Sequence, residues 1–115
     1  MNIQVKTIAS ILMVISIPVA QAMDGKDLLA GYNSYKRGKA GIATGKDAYD
    51  GGQFDGYVSG VFDSAVGIAL CVPADVKSGQ IQEVVGQFLE THPESRQRSA
   101  VLLSMQALMK AFPCK

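Results

Sequence analysis

The stretch that decides the fold is Gln53–Leu70, QFDGYVSGVFDSAVGIAL. Its apolar residues Phe54, Tyr57, Val58, Val61, Phe62, Ala65, Val66 and Ala69 recur at the i, i+3, i+4, i+7 spacing of a helix. The adjacent pairs Tyr57-Val58 and Val61-Phe62 break the alternation that a strand would need. At about 100° per residue the eight positions gather on one side, Ile68 joins them, and Leu70 falls just beyond the edge. Gly56, Gly60, Asp63 and Gly67 gather on the opposite side, as a bare groove with one carboxylate. An interior glycine costs a helix about 0.8–1 kcal/mol relative to alanine, a cost that something close to this backbone would explain. The reading is a central helix packed on both sides, with a second subunit or a protein partner as the alternative occupant.

Working outward, Cys71-Val72-Pro73 ends this helix, because proline disfavours helical geometry in the residue before it. Ser78 is the expected cap of a further helix, whose stripe is Ile81, Val84, Val85, Phe88 and Leu89. Pro93 stops that helix and suits the first turn of a last one. There Val101, Leu102, Met105, Leu108, Met109 and Phe112 share the expected core face, with Ala100, Ala107 and Ala111 on a neighbouring strip. Leu103 lies off that stripe, as an exposed contact or a second layer. Upstream, Asp24 to Arg37 carries Leu28, Leu29, Tyr32 and Tyr35 at helical spacing, with acids at its start and Lys36 and Arg37 at its end. Gly38–Gly52 holds five glycines without an apolar period and reads as a loop. The fold class is therefore all-α, a small domain of four helices or more.

Composition narrows the function. The 115 residues carry eleven basic and ten acidic side chains and no Trp, so no electrostatic footprint for nucleic acid and no stacking platform stand out. Lys6, the apolar run Ile8–Ala20 and the small-x-small Ala20-Gln21-Ala22 read as an export signal cleaved after Ala22. The run is shorter than the ~20 residues of a membrane span, so no stable anchor is expected. Removing Met1–Ala22 leaves a 93-residue domain, 23–115, placed in the periplasm. The only cysteines, Cys71 and Cys114, would pair in an oxidising compartment; a catalytic thiol is the competing reading. His92 sits in Thr91-His92-Pro93 as a surface or capping residue. Ser59 and Ser64 have no neighbouring base, and neither a phosphate loop nor a metal-ligand pattern occurs. No enzyme, cofactor or metal is expected. Lys36, Arg37, Lys39 and Lys46 cluster around the glycine-rich segment, as a solvated surface or a face for an acidic partner.

Several segments together resemble the Rap/Tai immunity proteins of type VI secretion. They are Asp24-Gly25 with Leu28-Leu29, then Gly56-Tyr57-Val58-Ser59-Gly60-Val61-Phe62-Asp63, then Cys71-Val72-Pro73. Gln82-Glu83-Val84-Val85, Phe88-Leu89, His92-Pro93 and Ala111-Phe112-Pro113-Cys114 complete the order. The resemblance implies a periplasmic, all-helical, non-catalytic protein that occupies the cleft of a peptidoglycan amidase toxin and often forms a homodimer. It also fits the Cys71–Cys114 pairing. The family commonly has a further Cys shortly after its Leu-Leu pair; Tyr32 stands at about that place, so a disulfide fastening the first helix is missing. The expected inhibitory surface is the turn Pro73-Ala74-Asp75-Val76-Lys77-Ser78, held at Cys71, with the basic loop second. A helical interaction or chaperone-like module without a toxin partner is the alternative, since fold alone does not separate the two.

Overall fold

The computed structural model describes residues 22–115. The expected signal segment falls, except for Ala22, outside the described residues. These fold into α1 (Gly25–Lys39), α2 (Gly45–Ala65), α3 (Ser78–Thr91) and α4 (Ala100–Ala111), with a short 3₁₀ turn at Pro93–Ser95. The all-α expectation holds.

Each helix of the first pair starts on a reciprocal cap. The Asp24 carboxylate accepts from the Lys26 and Asp27 amides at 2.8 and 3.0 Å, satisfying donors that the first turn leaves free. Thr44 Oγ1 accepts from the Asp47 amide at 3.2 Å, while Asp47 Oδ2 accepts from the Thr44 amide at 3.0 Å. That second box corrects the expected loop over Gly38–Gly52: only residues 40–44 connect the helices, and Gly45–Gly52 is the first part of α2. The glycine there has a packing reason. A Cβ at Gly51 would lie 2.9 Å from the Tyr35 amide nitrogen, so α1 and α2 touch backbone to backbone. One contact pairs Gly31 with Phe54 and another pairs Tyr35 with Gly51, so the two helices run antiparallel.

The far end of α2 is also corrected. The helix stops at Ala65, five residues before the expected end. Gly67 then takes φ +77°, which only glycine adopts without strain, and its amide donates to the Leu70 carbonyl. The reversal turns Leu70 fully inward and throws Val66 and Ile68 outward, with Ile68 84 % exposed. Pro73 limits the helix from beyond, but the glycine decides where it ends.

One apolar cluster fills the interior. It joins Leu28 and Tyr32 of α1, Phe54, Val58, Val61 and Ala65 of α2, Ile81, Val85, Phe88 and Leu89 of α3, and Ala100, Leu103, Ala107 and Leu108 of α4. Tyr32, standing where the family's extra Cys was expected, is buried against Phe54 at 5.3 Å between ring centroids. Its ring also fills the space over Gly86, where any Cβ would lie 2.2 Å from it. Packing therefore fastens α1 in place of a sulfur link. Backbone hydrogen bonds assist: the Gly25 and Lys26 amides donate to the Arg98 and Arg96 carbonyls at 3.0 and 3.1 Å.

The face of α4 differs from expectation. Leu103 is completely buried, whereas Val101, Leu102 and Met109 of the expected core stripe are 42–55 % exposed. The inward face combines Leu103 and Leu108 with small Ala100, Ser104 and Ala107, because α3 and the α1 N-terminus press close. Small residues where a neighbouring backbone must fit outweigh large ones in choosing the buried side.

The Cys71–Cys114 bond is present, with Cα atoms 4.9 Å apart. Beside it the Cys71 amide donates to the Phe112 carbonyl at 3.1 Å. The segment after α2 is thus tied to the end of α4.

Candidate functional site: the seam between α2 and α3

Gln82 organises this seam. Ile81 and Val85 carry the apolar stripe of α3 into the core, and Gln82, beside them, is turned towards α2 and only 1 % exposed. Its Nε2 donates to Asp55 Oδ1 at 2.6 Å and to Ser59 Oγ at 3.0 Å. Asp55 and Ser59 lie one turn apart on α2, so one amide clamps two successive turns. Asp55 accepts here, which fixes the amide nitrogen towards it and leaves Gln82 Oε1 buried with no donor among the described residues.

One turn further along α2 stands Asp63, and one turn earlier on α3 stands Ser78. Between them the helices part into a cleft of about 360 Å³ lined by Ser59, Phe62, Asp63, Ser78, Ile81 and Gln82. Its floor is aromatic and aliphatic; its rim is hydroxyl and carboxylate. Asp63 is exposed and forms no ion pair among the described residues. Further along, burial first, then the charges of the Asp55 and Glu83 carboxylates, raises the Tyr35 phenol above its ordinary pKa. The seam is acidic along its length.

Beside the cleft the α2 surface is bare. A Cβ at Gly56 or Gly60 would meet nothing within 4 Å, so this face is not packed inside the domain as the expected central helix would be. Gly67 does not belong to it, because it lies in the reversal after α2. Pro73, Asp75 and Lys77 are exposed on the turn that enters α3, while Val76 packs onto the core and its amide donates to the Pro73 carbonyl at 3.2 Å. The cap of α3 is Lys77, with Ser78 the first helical residue, and Gln80 Oε1 accepts from the Lys77 amide at 2.7 Å. Two features read separately from sequence, the turn with Ser78 and the groove with Asp63, therefore meet in one concave place. Ser59, Phe62, Ile81 and Gln82 complete it and were not anticipated. Gln82 carried a signal: it lies three residues before Val85 and seven before Leu89, a polar side chain in phase with buried ones.

The basic cluster has a different fate. Lys36 pairs with Glu90, Arg37 with Asp47 and Lys46 with Asp50, and the Lys39 ammonium lies 6.0 Å from the Tyr35 ring centroid. Its charge is largely compensated within the domain. His92 caps the end of α3, its ring stacked on Phe88 at 4.0 Å and its Nδ1 donating to the Phe88 carbonyl at 2.8 Å. Among the described residues no group of three His, Cys, Asp or Glu side chains is placed to hold a metal ion, and no helix is long and apolar enough to cross a membrane.

No curated protein matches the chain. The family model of the Rap1a immunity proteins, in contrast, matches residues 24–114. That span runs from the Asp24 cap to the Cys114 sulfur and takes in all four helices, the disulfide and the α2–α3 cleft. The chain belongs to the Rap1a immunity protein family.

Proposed function

We propose that this protein is a periplasmic immunity protein that binds and blocks a peptidoglycan amidase delivered by type VI secretion, and that Met1–Ala22 is the signal removed on export. The observation that carries the reading is the family match over residues 24–114, which begins two residues after Ala22 of the small-x-small site Ala20-Gln21-Ala22. A rigid body supports it physically, because a preorganised surface loses little freedom when it plugs a cleft. The turn Pro73–Ser78 is such a surface: it is exposed, seated on the core through Val76, and tied to the end of α4 at Cys71.

The test uses the oxidised mature chain and a peptidoglycan amidase effector of type VI secretion, sought first in the neighbourhood of its gene. A stoichiometric complex and complete loss of peptidoglycan cleavage are expected. Undiminished cleavage with this chain in excess overturns the reading. Within the complex, Asp75→Ala combined with Lys77→Ala is expected to raise the Kd at least tenfold, about 1.4 kcal/mol. An unchanged Kd alongside intact inhibition removes the turn and moves the contact elsewhere.

A further inference from the structure

The cleft between α2 and α3 has a chemistry of its own. Two side-chain acceptors of its lining are under-used among the described residues: the Asp63 carboxylate has no cation, and the buried Gln82 Oε1 has no donor. Gln82 cannot satisfy itself by turning its amide over, because that would set oxygen against the Asp55 carboxylate now receiving its N–H at 2.6 Å. An acceptor-rich hollow with an apolar floor of Phe62 and Ile81 fits a side chain that is flat, cationic and rich in N–H groups. Lys77, the one cation on the adjoining turn, is exposed and makes no ion pair among the described residues, so it leaves Asp63 uncompensated there. The bare backbone at Gly56 and Gly60 lets the main chain that carries such a group lie directly along α2.

We propose that this cleft is a socket for an arginine side chain of the protein partner, with the guanidinium paired to Asp63 and bounded by Ser59 and Ser78. The proposal rests on the immunity reading for the identity of the partner, but the socket is a property of this chain. Gln82 is a positioning residue: by holding Ser59 and Asp55 it fixes one wall. In the free protein Asp63 stands in water, so an isolated arginine side chain binds weakly but measurably; a partner covering the cleft removes that water and strengthens the pair.

The probe is N-acetyl-arginine methylamide, titrated into the oxidised mature chain and followed by amide chemical shifts. Saturable shifts confined to residues around Ser59, Asp63, Ser78 and the Gln82 side-chain amide are expected. The neutral citrulline analogue, of the same shape, should bind at least tenfold more weakly, and Asp63→Asn should produce the same loss while keeping a dispersed, folded spectrum. Ser59→Ala provides a second variant, with a smaller loss. Absence of localised shifts, equal binding of the citrulline analogue, or an unaltered titration in Asp63→Asn overturns the socket. None of these outcomes touches the inhibition reading, since no amidase enters the assay; failure of amidase inhibition in turn leaves the titration result standing.

Discussion

Glycine does two opposite jobs in this chain, and the difference is visible only in three dimensions. At Gly86 the Tyr32 ring occupies the place of a side chain, so Gly86→Ala must displace a buried aromatic that also packs on Phe54. A loss of about 1–3 kcal/mol is expected for such overpacking. At Gly56 and Gly60 nothing lies within reach, so alanine at either should stabilise by about 0.8–1 kcal/mol through helix propensity alone. Calorimetry of the three single variants checks the contrast: Tm should fall for Gly86→Ala and rise for the other two, by about 4–8 °C per kcal/mol in a domain of this size. The sequence carries no mark that separates these glycines. Gly86 stands inside an amphipathic stripe and Gly56 opposite one, which hints at the distinction, but only the position of the Tyr32 ring decides it. Gln82 was similarly within reach of pattern reading, because its phase matches Val85 and Leu89; its partners Asp55 and Ser59 lie more than twenty residues away and no local rule points to them.

Among the elements, the α1–α2 pair shows best how local chemistry and tertiary charge combine. Asp47 caps α2 through Thr44 and also receives hydrogen bonds from Arg37 and Ser34 of α1. The Arg37 guanidinium first, and then the Thr44 amide, hold its carboxyl far below the usual carboxylate range. A group depressed in this way favours the folded state while it is ionised. Its contribution is complete above the ordinary carboxylate pKa of about 4 and disappears as pH falls through the folded value. The urea midpoint of the native chain should therefore drop on acidification from pH 4 to pH 2, more steeply than that of Asp47→Asn. At pH 7 the variant should be the less stable of the two, and the gap should narrow towards the acid end. A gap independent of pH would contradict this account. The Thr44-Gly45-Lys46-Asp47 box was in the sequence, yet four glycines between Gly41 and Gly52 masked the helix that it opens. In α4 the opposite error arises: the bulk of Val101, Leu102 and Met109 points away from the true core side, where Leu103 and Leu108 sit among the small Ala100, Ser104 and Ala107 that let close neighbours in. Periodicity finds helices well; it finds their inward side only when the large residues are the ones that face in.

For the molecule as a whole, a single covalent link supplements a small core. The Cys71–Cys114 bond closes 43 residues of chain, including all of α3 and α4. Chain entropy values such a closure at about 4 kcal/mol, a large share of the 5–15 kcal/mol that a domain of this kind possesses. Replacing both cysteines with serine should lower the unfolding free energy by about that amount in urea titrations, and reductant should reproduce the effect on the native chain. Equal stability with and without the bond would refute the role given to it. Helical class, the link and the order of helices could all be read before any coordinates. The cleft could not, since its two walls are joined by the reversal at Gly67 and by the turn from Pro73, and neither bend has a periodic signature.

Both halves of that cystine lie at the exposed surface. A small thiol can therefore reach the bond without waiting for the domain to open, so the rate of cleavage follows the concentration of attacking thiolate and not the frequency of unfolding, while the surrounding potential sets the end point. The same polypeptide would keep this bond wherever oxidants prevail and lose it where reducing thiols are abundant.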